Sequence, residues 1–179
     1  PYSFAVFSSD ILGRIYEVFL TEQLRINEGS VFLGKKPDNV DKDIVSTPTH
    51  IIQDIIRATI VPHCDGKTDK EILGTKVADI SCGSGSFLLE VFQMMNDLLI
   101  DYYLEHDKNQ LIQTGVENYK LPYSIKLELL TNCIRGVDKD YNAVEATKFG
   151  LLLKLLEGED FTSTDVNNPI LPDLDENIS

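Results

Sequence analysis

Asp79-Ile80-Ser81-Cys82-Gly83-Ser84-Gly85-Ser86-Phe87-Leu88 is the stretch that decides the fold of this chain. The run from Lys76 to Ile80 that leads into it is short and β-compatible. A glycine-rich turn follows at once, and a long helix starts near Ser86. Behind the turn, Phe87, Leu88, Val91, Phe92, Met95, Leu98, Leu99 and Tyr102 recur at helical spacing and keep one face apolar. Met94-Met95 reads as core filling. Strand, glycine turn and helix together form the opening unit of a parallel α/β sheet, whose ligands collect where strands end.

Downstream, residues 125–130 read as a short helix that leads into Cys133-Ile134-Arg135-Gly136-Val137-Asp138, a second strand ending in an acid. A helix is expected from about Tyr141 to Leu156, with Val144, Leu151, Leu152 and Leu155 facing inward. Upstream, Thr47-Pro48 reads as a helix start with Thr as cap and Pro in the first turn. Ile51, Ile52, Ile55, Ile56 and Ile60 form its apolar face, and Pro62 and Gly66 close it. An earlier helix is expected after Ser8-Ser9-Asp10, carried by Ile11, Leu12, Ile15, Tyr16, Phe19 and Leu20. Residues 27–45, 62–74 and 105–122 are rich in glycine, proline and charge and read as loops. This order gives an α/β class with parallel strands, and two central strands are too few for a complete doubly wound sheet.

The chemistry concentrates at the two strand ends. Glycine at 83 and 85 lets the backbone bend sharply and come close to a ligand. Asp138 stands where a carboxylate can accept hydrogen bonds from the vicinal hydroxyls of a ribose. The pair describes a nucleoside-cofactor site. A dinucleotide fingerprint needs a third glycine where Leu88 stands, and an acid ~20 residues on rather than at Asp138. A phosphate-binding P-loop needs Gly-Lys-Ser/Thr after the turn, which is absent.

The quoted stretch is similar to the Asp-Pro-x-Cys-Gly-Ser-Gly-x-Phe-Leu cofactor motif of amino-group DNA methyltransferases, a family that includes type I modification subunits and fused type II restriction–modification enzymes. Three further segments agree in order. Leu12-Gly13-Arg14-Ile15-Tyr16-Glu17 resembles the family's Leu-Gly-x-x-Tyr-Glu helix, Thr47-Pro48 its Tyr-Thr-Pro segment, and Gly136-Val137-Asp138-Lys139-Asp140 its second strand end. Ser46 stands where the family has an aromatic residue, and Ile80-Ser81 where it has Pro-Ala.

The resemblance implies a partial Rossmann-like fold that binds S-adenosylmethionine, with an incomplete parallel sheet and N-terminal helices. It divides the chain into an N-terminal helical segment and loop over 1–45 and a truncated cofactor domain over 46–179. It implies that Thr47, followed by Pro48, bonds the methionine carboxylate and that Asp79 orients the amino group. Ser81, Cys82, Gly83, Gly85, Ser86 and Phe87 would line the methionine and ribose. Asp138 would hold the ribose hydroxyls, and Lys139 with Asp140 would border the adenine. Plainer roles exist for some of these: Thr47 and Asp140 as helix caps, Cys82 as a small buried filler. The activity implied is methylation of the adenine amino group in DNA within a restriction–modification system. The alternatives are an RNA or protein methyltransferase and a non-catalytic nucleotide-binding module.

In that family an Asn/Asp-Pro-Pro-Tyr/Phe loop receives the target adenine. Asn168-Pro169-Ile170 is no such loop, having one proline and no aromatic. The segment 171–178 resembles the family's approach to its third strand. Catalytic residues are therefore expected after Ser179, and a chain that starts at Pro1 without Met reads as an internal fragment.

Composition agrees. With 179 residues, 42% hydrophobic and 25% charged, the chain can bury a core of its own. The net charge is −13, and seven acids follow Leu156 with no Lys or Arg among them. Such a surface repels phosphate backbones. Double-stranded DNA is expected to be held by parts of the parent outside this segment, alongside specificity and restriction subunits or domains. The acidic tail reads as a solvated surface. Cys64, Cys82 and Cys133 are odd in number and scattered, and His50, His63 and His106 stand apart, so no disulfide framework or metal site is expected. A reducing cytoplasm fits, and no run is long enough for a membrane span.

Overall fold

The computed structural model of the protein describes residues 22–27, 29–35, 47–159 and 171–179. The expected first helix with its Leu12–Glu17 segment, Ser46, and Asn168-Pro169-Ile170 lie outside them. The elements in order are β1 (Glu22–Asn27), β2 (Ser30–Lys35), α1 (Thr49–Cys64), α2 (Asp69–Leu73), β3 (Val77–Asp79), α3 (Ser86–His106), a 3-10 turn (Lys108–Gln110), β4 (Ile112–Gln113), β5 (Tyr119–Lys120), α4 (Tyr123–Cys133), β6 (Ile134–Gly136) and α5 (Tyr141–Leu156).

The class is α/β with a small parallel sheet, a partial Rossmann-like arrangement. β3 and β6 pair in parallel, Val77 opposite Ile134, Ala78 opposite Arg135 and Asp79 opposite Gly136. A third position begins at the far end of the chain, where Ile178 bridges in parallel to Gly136. The Gly136 amide donates to Asn177 O at 2.8 Å, and the Ser179 amide donates to Gly136 O at 3.1 Å. The strand from the middle of the sequence thus lies between the first and the last, which is one half of a doubly wound order. Asn177 secures this edge. Its buried amide donates to the carbonyls of Thr131 at 3.0 Å and Ile134 at 2.9 Å, using acceptors that the end of α4 leaves free.

α3 is the central pillar, in contact with α1, α2, α4, α5 and both strands. Leu88, Phe92, Met95 and Leu99 are all but fully buried along it, spaced three or four residues apart as a helix stripe demands. Each such side chain stabilises the fold by about 1.5 to 3 kcal/mol relative to exposure. α5 answers with Val144, Leu151 and Leu155, and α4 with Leu129, Leu130 and Cys133.

Several local expectations are corrected. Pro62 does not end α1, which runs on to Cys64. Thr47 is not its cap: Pro48 occupies that position, with no side-chain cap bond, and its own carbonyl accepts from Ile51 and Ile52. Proline's φ near −56° and free carbonyl suffice to start the helix. The polar stretch 62–74 contains α2, opened by a capping box in which Glu71 accepts from the Thr68 amide at 2.9 Å and Thr68 accepts from the Glu71 amide. Residues 30–35, read as loop, are instead β2, paired antiparallel with β1 around Gly29 at φ 79°. The strand 76–80 is shorter, with Ile80 in the turn and 84% exposed. The acidic tail is not uniformly solvated either. Glu159 is half-buried and pairs with Lys126 at 2.5 Å and Lys120 at 3.2 Å; the buried Lys126 also donates to the carbonyls of Leu155 and Glu157 at the end of α5, and the carboxylate supplies its counter-charge.

Candidate functional site

The two strand tips are joined beyond the sheet by the backbone itself. The Val137 amide donates to Asp79 O at 2.9 Å, and the Cys82 amide donates to Val137 O at 3.0 Å. This brings the glycine turn against the end of β6. Within the turn, Asp79 Oδ1 accepts from the Ser81 amide at 3.0 Å, an Asx turn that folds the chain as soon as the strand ends. The Gly85 amide then donates to Cys82 O at 2.8 Å. Gly83 has φ 53° and Gly85 φ 82°, a left-handed backbone that side chains disfavour.

The two glycines differ in what surrounds them. A Cβ on Gly85 would lie 2.7 Å from Thr147 Cγ2, so this position is packed. A Cβ on Gly83 would meet nothing within 4 Å, so the backbone there faces open space. Asp138 stands beside it. Its Oδ2 accepts from the Gly83 amide at 2.8 Å and its Oδ1 from the Asp140 amide at 2.9 Å. A carboxylate offers about four lone-pair sites. Two remain for a ligand.

Asp79, Gly83, Ser86, Phe87 and Asp138 are half-buried, Cys82 and Gly85 are buried, and Ser81 and Lys139 are exposed. All belong to one corner of the molecule by chain continuity and the bonds above. Asp140 caps α5, accepting from the Asn142 amide at 2.9 Å, the plainer of its two expected roles. α3 starts at Gly85 with no side-chain cap, so its first-turn amides are available to an acceptor. Thr47 and Pro48 precede α1, which packs along α3. The Gln53 amide donates to Glu90 at 3.1 Å, and each of these residues lies about 6 Å along its helix from the first residue. The two helix starts are therefore neighbours.

Cys82 is buried in the turn. Burial pushes its thiol up, against a smaller opposing effect from the Thr147 hydroxyl, and the carboxylates of Asp138 and Asp79 push it further up. Its small, buried side chain is compatible with the plainer expected role of filling the turn's interior. Thr147 is the participant that the sequence reading missed. Fully buried on α5, it donates to Gly83 O at 2.9 Å. Its signal was present, as a polar side chain within the inward stripe Val144, Leu151 and Leu155.

The donor set fits a nucleoside carrying an amino-acid arm. Two carboxylates, Asp79 and Asp138, flank an open glycine backbone at a helix start. The fold is half of a Rossmann-like arrangement, with the glycine turn and Asp138 together at its strand tips. Residues 7–150 match the family described as N-6 DNA Methylase, and the chain belongs to that family. It is also 56% identical over 178 residues to the Escherichia coli protein described as "Type II restriction enzyme and methyltransferase RM.Eco57I". The match covers 99% of this chain and 18% of that protein, so the chain spans about a fifth of its relative's length.

Proposed function

We propose that this segment is the S-adenosylmethionine-binding part of an enzyme that methylates the adenine amino group in DNA within a restriction–modification system. Family membership and the relative's description support the reaction class. One observation carries the site: the Gly83 amide donates to Asp138 beside a backbone that opens onto empty space.

When bound, S-adenosylmethionine supplies an electrophilic methyl group on a sulfonium. The residues of this chain bind and orient. Asp138 accepts from the ribose hydroxyls with the lone pairs its protein contacts leave over. Asp79 faces the ammonium, a pairing of opposite charges that strengthens the hydrogen bond. Thr47, presented by Pro48 at the start of α1, bonds the carboxylate. Ser81, Cys82, Gly83, Gly85, Ser86 and Phe87 line the arm and ribose, and Lys139 borders the adenine. Residues 46–179 form this cofactor unit and 1–45 a separate leading segment.

No Asn/Asp-Pro-Pro-Tyr/Phe stretch occurs between Pro1 and Ser179, so the target base is held by other parts of the protein. With a net charge of −13, this segment contributes little to gripping the duplex, and cationic surfaces elsewhere do so. Among the described residues no helix is long and apolar enough to cross a membrane, and the three free cysteines accord with a cytoplasmic setting.

The test is transfer of labelled methyl from S-adenosylmethionine to duplex DNA by the full-length protein and by residues 1–179 alone. The full-length protein should label adenine N6, and the segment should label nothing. Label on cytosine, or transfer by the segment alone, contradicts the proposal.

A further inference from the structure

We infer that Thr147 is a positioning residue for the cofactor turn, its hydroxyl fixing the Gly83–Ser84 peptide so that the Ser84 amide faces the open side. The inference rests on the cofactor reading above and concerns a residue that reading does not use.

Gly83 is held at both of its peptide groups. Its amide donates to Asp138 Oδ2 at 2.8 Å, and its carbonyl accepts from Thr147 Oγ1 at 2.9 Å. A peptide unit is planar and, here, trans, so its carbonyl and the following N–H point in opposite directions. Tying Gly83 O to α5 therefore turns the Ser84 N–H away from α5. No hydrogen bond among the described residues takes up that N–H. The turn itself is uncrowded, since a Cβ at Gly83 would meet nothing within 4 Å. An amide with no partner among the described residues, next to a carboxylate, suits a ligand that presents both acceptors and hydroxyl donors, as a ribose with a carboxylate arm does.

Packing alone does not account for a threonine here. Its methyl fills the space beside Gly85, where a Cβ would approach Cγ2 to 2.7 Å, and valine would do the same. Only the hydroxyl reaches Gly83 O. Cys82 Sγ lies 4.0 Å from that hydroxyl and supplies at most a weak second contact.

The test uses the full-length protein with Thr147→Val, which keeps the shape and removes the hydroxyl, and Thr147→Ser, which keeps the hydroxyl and removes the methyl. Affinity for S-adenosylmethionine and S-adenosylhomocysteine is read by calorimetry, alongside the KM for the cofactor, kcat and the melting temperature without ligand. T147V should weaken both affinities about tenfold and raise KM to match, with kcat at saturation changed less than about threefold, while T147S stays within about threefold of the parent. Parental affinity in T147V overturns the inference, as does T147S behaving like T147V, which would assign the effect to packing. Independently of any variant, exchange of the Ser84 amide in the unsubstituted protein should slow about tenfold or more on saturation with cofactor, and unchanged exchange overturns the inference. Failure of the unsubstituted protein to bind either ligand removes the cofactor reading itself, a result separable from the others because it precedes any substitution.

Discussion

Along α3 the buried residues Leu88, Phe92, Met95 and Leu99 recur at helical spacing within one apolar cluster. At the tips of β3 and β6, by contrast, the contacts are hydrogen bonds between the backbone of one segment and the side chains or backbone of another. The seam depends on volume, summed over many side chains of similar kind. The corner depends on single atoms: one carboxylate, one hydroxyl, two glycines. A protein can therefore lose much stability in the seam and keep its site, or lose its site through one atom and stay folded. The first two predictions press on the seam and the last on the corner.

The largest effect is expected from Leu99→Ala, deep in the seam and fully buried. It should cost about 2 to 5 kcal/mol in urea unfolding, through lost transfer energy and the cavity left behind. Cofactor affinity of the folded protein should remain within about twofold, since Leu99 lies more than three turns from Ser86. A large loss of affinity would show that seam and corner are not separable.

A second test is alkaline. Tyr103, buried at the far end of the seam, donates to Asp69 Oδ2 at 3.1 Å. Burial first, and the Asp69 carboxylate next, push its hydroxyl up from 10 to about 12. The fold therefore favours the neutral phenol. That contribution is complete below pH 10 and is lost as pH rises toward 12, by about 2 to 3 kcal/mol. Cys133, pushed up to about 11 by burial, loses stability in the same direction. Unfolding curves between pH 9 and 12 should fall less steeply in Tyr103→Phe, and identical slopes would remove Tyr103 from this account.

The same contrast explains what was legible in the sequence. Helical spacing over 86–106 and 141–156 marks α3 and α5 without help from any motif, because burial imposes its own period. Gly83 and Asp138 were legible as a pair only through chemistry, since 55 residues separate them. The capping box of Thr68 and Glu71 stood in plain view within a stretch too polar to read as a helix. β2 was hidden because its turn residue, Gly29, and the charges around it read as loop. Thr147 stood out only as a polar residue in an apolar stripe, and its partner was out of reach: the bond to Gly83 O spans 64 residues and depends on how α5 settles against the turn. Asn177 is similar, one of several polar residues in its stretch, and its three carbonyl partners lie more than forty positions away.

Asp138 offers the most direct measurement. In the full-length protein, calorimetric titration with S-adenosylmethionine is compared between the parent and Asp138→Ala, with a melting curve for each. Removing a charged hydrogen-bond acceptor should weaken binding about 10- to 100-fold while the protein still melts cooperatively. Equal affinity in the two proteins, both folded, would mean that the cofactor does not sit between Gly83 and Asp138.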